Sequence, residues 1–356
     1  MAVEKPARVL TEHQISFDIV SRDYLLGAKV ESGAYLINAQ RFEVLVFPYG
    51  ERIPADLIPV LAQMTAAGVK LVFVDALPSG IVGKADEGSN LGEVLGKANA
   101  VPPKELGDAL SDYCALRTSK PQRDLVVGEY CREDKRYYFL FNEHVGTAVE
   151  TWVELGAQGY VYRYDALSDT LYTVEQEARG IWLSLQPYEA AVLVVTQEPL
   201  EAEASVDDSD WETIALPEQW QVRFADSFSY PTVWEDVPTQ KLGFVHQCEG
   251  FDRKAGTVQF TANVELNEAA DAVLDLGEAH ETAEVFLNGV SAGVRLCRPY
   301  RFDLSGLIKN GSNELRIEVT NTLGTAIREP MSHYLVIEPF GVEGPVKLKV
   351  RKEDKV

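Results

Sequence analysis

The chain has 356 residues and a formal net charge of −22 at pH 7. That length allows about two or three domains, and near-average apolar and charged fractions let a sizeable core form without metals or disulfides. The charge excludes a nucleic-acid groove or an anionic membrane surface as the main partner, and no apolar run approaches the ~20 residues of a membrane span.

The first residues, MAVEKPARVLTEHQ, contain no apolar h-region, so no secretory signal is expected. Cys114, Cys131, Cys248 and Cys297 form no CxxC and have no histidines at zinc-ligand spacing. Free thiols in a reducing, cytoplasmic compartment are the expectation.

As far as Tyr113 strands and helices alternate. Phe17–Ile19 reads as a short strand, and Ser21 as the N-cap of a brief helix carrying Tyr24 and Leu25. Glu43–Phe47 reads as a buried parallel strand. Leu57, Val60, Leu61 and Met64 share one helical face that Gly68 ends, with Pro59 either opening the helix or kinking it. Lys70–Val74 is the next strand, which makes this a small α/β layer with a parallel sheet. The glycine-rich stretch from Asp75 to Asn90 matches neither GxGxxG nor the Walker pattern at Gly80, Gly83 and Gly88, and reads as a surface loop. Helical pattern resumes at Leu91–Leu95 and Lys104–Tyr113.

From Arg123 to Thr196 the period becomes two. Strands are expected at Tyr138–Phe141, Gly159–Tyr164, Leu171–Val174, Ile181–Leu185 and Ala190–Val195. Turn signals about ten residues apart suggest a compact β-sandwich. Gln197–Asp210, QEPLEAEASVDDSD, has no Lys or Arg and little apolar content, and reads as a linker.

Trp211 onward is all-β. Val285 and Leu287 alternate with Glu284, Phe286 and Asn288, and Asn288-Gly289 supplies the residues of a two-residue type I′ turn. Val290, Ala292 and Val294 continue in period two on the return strand. A second turn, Lys309–Asn313, leads into the alternating strand Glu314–Val319.

The hairpin, Phe302-Asp-Leu-Ser305 and the Asn310-Gly-Ser-Asn-Glu-Leu-Arg-Ile-Glu-Val319 run recur in one order within Ala272–Asn321. In that order they resemble the sugar-binding jelly roll of family 2-type glycoside hydrolases. Phe17–Tyr24, Tyr35–Asn38 and Val44–Pro48 resemble the amidotransferase-like, flavodoxin-type domain that β-galactosidases also carry. The whole order is similar to the C-terminal, non-barrel region of a family 2-like or family 106 α-L-rhamnosidase-like glycoside hydrolase. The resemblance implies a multidomain α/β plus all-β chain. An amidotransferase-like α/β domain would span 1–120, a small β-sandwich 121–200, and a galactose-binding-like jelly roll 201–356.

A glycosidase needs two carboxylates about 5–5.5 Å apart for retention or about 6.5–9.5 Å for inversion. In these families they stand on a (β/α)₈ barrel of roughly 250 residues, which this chain lacks. The turns Phe47–Gly50 and Val74–Leu77 carry no cysteine for amidotransfer, and no GxSxG or HExxH occurs. No catalytic residue is therefore assigned.

Carbohydrate contact is the expected chemistry, because sugar sites join an aromatic platform to groups that satisfy hydroxyls. Trp220, Tyr230 and Trp234 are the aromatic candidates, and His246, Glu249, Arg298, Tyr300 and His333 the polar ones. At least one tryptophan is expected to plug the core, and Tyr300 to pack beneath the hairpin. Asp252, Glu278 and Asp303 are scattered carboxylates that could serve calcium, without a ligand spacing to support it.

Three readings follow. As the bracing part of a glycoside hydrolase, the chain would show a large apolar patch where a barrel docks. As a free-standing, lectin-like carbohydrate binder it would show a formed groove with exposed aromatics. As a structural or homo-oligomerisation module it would show a self-complementary patch.

Overall fold

A computed structural model describes residues 4–83, 91–204, 211–267, 269–327 and 339–352. Strands take 45% of the chain and helices 14%, so the fold is β-rich, with several sheets over separate hydrophobic cores. No helix among the described residues is long and apolar enough to cross a membrane.

The first sheet is parallel, in the order Val44–Phe47, Lys70–Val74, Asn99–Val101. Its central strand is apolar at every position after Lys70 because both faces are covered. Leu71 and Phe73 pack towards the helix Leu57–Ala66, while Val72 and Val74 pack with Leu10, Leu106 and Leu110. Pro59 is the third residue of Leu57–Ala66. Its missing N–H belongs to the first turn, which has no intrahelical acceptor, so no kink results. The helix closes as the N–H groups of Val69 and Gly68 donate to the carbonyls of Met64 and Thr65.

One expectation in this region fails. Phe17–Ile19 is irregular rather than a strand: Phe17 is 40% and Ile19 73% exposed, and the segment forms no ladder with Val44–Phe47. Lys104–Tyr113 is helical as expected, in three short pieces: a 3₁₀ turn at Pro103–Glu105, an α-helical turn at Leu106–Ala109 and a second 3₁₀ turn at Ser111–Tyr113. Gly107 lies in the middle piece, where a Cβ would stand 2.3 Å from the His13 ring, so only glycine lets this helix approach the end of the first one so closely. Within the glycine-rich stretch, Gly80–Val82 pairs in parallel with Arg52–Pro54, and residues 84–90 lie outside the described set.

The middle of the chain forms a five-stranded antiparallel sheet facing a three-stranded one. In spatial order the larger holds Leu125–Arg132, Lys135–Asn142, Ala190–Thr196, Tyr160–Asp165 and Thr170–Thr173. The smaller holds Ile181–Leu185, Val149–Leu155 and Leu116–Thr118. Tyr138, Leu140, Val153, Leu183, Leu185 and Leu193 fill the space between. Glu203 exchanges backbone bonds with Leu171 and Thr173, so the first half of the expected linker is docked, and residues 205–210 lie outside the described set.

The last part packs a six-stranded sheet on a four-stranded one. The larger runs Glu235–Asp236, Gln221–Asp226, Gly256–Glu265, Ser312–Thr320, Thr282–Leu287, Val290–Arg295. Asn288 and Gly289 take φ of 54° and 81°, and Leu287 pairs with Val290, as a type I′ hairpin requires. The return strand does not keep its expected period. A register shift falls opposite Glu284–Phe286, and Val290 and Val294 are 53% and 39% exposed on a sheet edge.

Candidate functional site

Alternation in the six-stranded sheet turns Val258, Phe260, Leu315, Ile317 and Val285 into the core. It therefore turns Arg223, Gln259, Glu318 and Glu284 outward, and strand register sets these four in one row across neighbouring strands. Residues 227–234 leave Gln221–Asp226 and bring Tyr230 over that row. The Tyr230 hydroxyl donates to Glu318 Oε2 at 3.0 Å, and Gln259 Nε2 donates to Glu318 Oε1 at 2.9 Å.

Glu284 lies directly opposite Glu318, an arrangement that like charges disfavour. The surroundings offset it. Ser291 Oγ donates to Glu284 Oε1 at 2.9 Å, and Arg316 Nε stands 3.5 Å from Glu318 Oε1. The Arg316 guanidinium also stacks 3.9 Å from the Phe286 ring centre. Trp234 meets Tyr230 edge-on at 5.8 Å, and the Arg223 guanidinium lies 5.5 Å from the Trp234 ring. Burial, then the bond to Glu318, pushes the Tyr230 hydroxyl up to about 12, although 43% of the residue is exposed. The ring meets solvent while the hydroxyl is turned against a carboxylate whose residue is only 6% exposed. Aromatic faces beside fixed carboxylates and a guanidinium suit a small polyhydroxylated molecule, with an apolar face to stack and hydroxyls to bond.

A second cluster lies where Glu278–His280 pairs with Gly341–Gly344. Arg298 Nη2 is 2.7 Å from Glu278 Oε2, and His280 Nε2 is 3.6 Å from Glu343 Oε2 and 4.0 Å from Glu278 Oε2. His246 accepts from the Phe340 N–H at Nδ1, so a neutral His246 carries its proton on Nε2. The Phe244 ring lies 5.2 Å from His246 and 6.0 Å from His280. Glu343 also borders an open recess of about 1050 Å³ whose wall includes Trp220 and Lys241.

The donors do not fit calcium, which takes about 6–8 oxygens. Glu278, His280 and Glu343 are the one group of three metal-ligating side chains among the described residues, and Glu278 is held by Arg298. Asp303 is engaged by the N–H and hydroxyl of Ser305, and exposed Asp252 lies 3.9 Å from Arg253.

The structure thus brings Tyr230 and Trp234 together on one face, and His246 and Arg298 together at the other cluster. Trp220 is 3% exposed in the core, with its indole N–H on the Pro217 carbonyl, and offers no free ring face. Tyr300 is 5% exposed beneath the hairpin and donates to the Glu281 carbonyl at 2.5 Å. Glu249 is exposed in the turn after His246 and is bonded to neither cluster. His333 lies outside the described residues. Glu318, Gln259, Arg316, Glu284 and His280 were not singled out by the sequence. Period-two alternation marks four of them as outward, but only strand register shows that they share a row or adjoin it.

No family model matches the sequence, and no characterised protein matches it at the sequence level. In structure, 95% of the chain superposes on 36% of a rhamnosidase from Novosphingobium sp. PP1Y, with a TM-score of 0.65 at 16% identity. The chain therefore shares a glycoside-hydrolase-like fold and spans about a third of that protein's length. Partial matches include a Faecalibacterium prausnitzii β-glucuronidase (17% identity, 42% of this chain, 33% of that one, TM-score 0.29). Another is a GH2 β-galacturonidase from Eisenbergiella tayi (16% identity, 39% of this chain, 24% of that one, TM-score 0.31). Both are too loose to bear on the fold.

Proposed function

We propose that this chain is a non-catalytic portion of a glycoside hydrolase, which supports a catalytic (β/α)₈ barrel and contacts carbohydrate at the Tyr230–Glu318 face. The superposition of 95% of the chain on 36% of a rhamnosidase carries the reading. In it, residues 1–120 form an amidotransferase-like α/β domain, 121–200 a small β-sandwich, and 201–356 a galactose-binding-like jelly roll.

Glu284 and Glu318 invite a catalytic alternative, since they stand directly opposite each other on neighbouring strands and glycoside hydrolysis uses two nearby carboxylates. Their bonding argues against it. Each Glu318 oxygen accepts a side-chain hydrogen bond and the residue is only 6% exposed, so the carboxylate is turned towards Tyr230 and Gln259 rather than into an open site where an anomeric carbon could be attacked. The same bonding suits a recognition surface, where a carboxylate held in place accepts hydroxyls.

An open face with one stacked aromatic and a few hydroxyl bonds binds at about millimolar, some −4 kcal/mol. Titration with rhamnose and galactose, followed by the indole and backbone amide N–H resonances, tests the reading. Trp234 should shift while resonances from residues 1–120 stay silent, and Trp234→Ala should abolish binding without unfolding the chain. No shift with any sugar well above about 1 mM would remove the carbohydrate contact and leave only the bracing role.

A further inference from the structure

The five-stranded sheet of the middle segment is apolar on both faces. Its inner face builds the core described above. Its outer face carries Tyr130, Tyr137, Val194 and Tyr162 in one register row and Phe139, Val192 and Tyr164 in the next. The chain covers one half of this face itself. The Leu200 N–H donates to the Tyr162 hydroxyl at 2.8 Å, and Tyr162 and Val194 are 5% and 4% exposed. The other half stays open, with Val126 43%, Tyr130 55% and Phe139 50% exposed.

We propose that the open half pairs with the same face of a second copy of this chain, about a two-fold axis that lies between the sheets and runs across the strands. A flat sheet face is complemented by another sheet about 10 Å away. Charge selects this axis. Leu125 and Asn142 are buried, so alternation turns Asp124 and Glu143 outward at one end of the strand pair. Arg132 and Lys135 are the outward pair at the other end, with the turn Glu133–Asp134 beyond them at the tip. An axis across the strands reverses them. Arg132 and Lys135 of one copy then lie over Asp124 and Glu143 of the other, at both ends of the interface. An axis along the strands would set like charge over like. Gly128 and Phe139 pair with each other halfway between the charged ends, so Phe139 meets its own counterpart at the axis.

The area sets the strength. A whole aromatic side chain presents roughly 150–250 Å², of which Tyr130 and Phe139 leave about half open, so with Val126 and the four flanking charged side chains the open half offers roughly 500 Å² per copy and about 1,000 Å² for the pair. That is the lower limit for specific association, so the dimer is weak and concentration-dependent. This pairing does not depend on the carbohydrate reading, which concerns a different sheet.

Sedimentation velocity of the full chain from about 1 to about 300 µM tests it, the range such a small interface addresses. A reversible monomer–dimer equilibrium is expected. Phe139→Asp should leave only monomer, with thermal unfolding confirming that this half-exposed position tolerates the change. Lys135→Glu should weaken the dimer by about tenfold, and Lys135→Glu with Glu143→Lys should restore it. A chain that stays monomeric throughout overturns the proposal, as does association that Phe139→Asp leaves intact. A double reversal that fails to recover the dimer while the fold is kept overturns this axis and the pairing drawn from it.

Discussion

The Tyr230 hydroxyl donates to Glu318 Oε2 at 3.0 Å, joining residues 88 apart in sequence across the outer face of the six-stranded sheet. The bond ties the 227–234 segment to the sheet and holds a nearly buried carboxylate in one orientation. Without it Glu318 keeps Gln259 and the nearby Arg316 guanidinium but loses a donor that water reaches poorly.

Tyr230→Phe is therefore expected to destabilise the chain by about 1–3 kcal/mol, the range for stripping a partner from a buried charged acceptor. Thermal or urea unfolding measures it. A change within about 0.5 kcal/mol would mean that water replaces the hydroxyl without loss.

The pH dependence of the same group has a definite sign. The hydroxyls of Tyr35, Tyr230 and Tyr300 are each raised from 10.0 to about 12, chiefly by burial. A group held above its unfolded value contributes stability that is complete below pH 10 and disappears as pH rises from 10 to about 12. Unfolding followed across that interval should show stability falling, and phenolate absorbance should show these three tyrosines ionising after the exposed ones.

Two tryptophans of one segment should separate cleanly. Trp220→Ala should cost about 3–5 kcal/mol, because it empties a core position that is 3% exposed. Trp234→Ala should cost far less, since the ring is half-buried and its indole N–H bonds only the nearby Pro231 carbonyl. Denaturant midpoints of the two variants decide, and equal losses would place Trp234 in the core.

Asn313 is fully buried and closes the turn that precedes the Ser312–Thr320 strand. Its amide donates to the Lys309 and Gly311 carbonyls, and its oxygen accepts from Lys309 N–H and from Asn288 Nδ2 of the neighbouring hairpin. Asn313→Ala leaves several buried groups without partners at once, so a loss above the ~1 kcal/mol of a single bond is expected, about 2–4 kcal/mol. Chemical denaturation gives the value.

Purified chain is expected not to turn over aryl glycosides, because its sequence holds no (β/α)₈ barrel to carry a catalytic carboxylate pair and the Glu318 carboxylate is turned into bonds with Tyr230 and Gln259. Hydrolysis that survives purification and vanishes with Glu318→Gln or Glu284→Gln would reverse that conclusion.

Local pattern by itself determined the parallel strands Val44–Phe47 and Lys70–Val74, the period-two strands of the middle segment and the Asn288-Gly289 hairpin. Each is written in neighbouring residues: continuous apolar runs, alternation, or a turn pair that tolerates positive φ. Pattern also led to Tyr230 and Trp234. It misread Phe17–Ile19, whose short alternation finds no ladder to join. What only the tertiary structure decided is which outward residues meet. Glu318, Gln259 and Glu284 come from three strands, and Tyr130, Phe139 and Tyr162 from three others. Side-chain period fixes the face a residue takes, but its neighbour across the sheet depends on strand order and register, which are set by packing of the whole core.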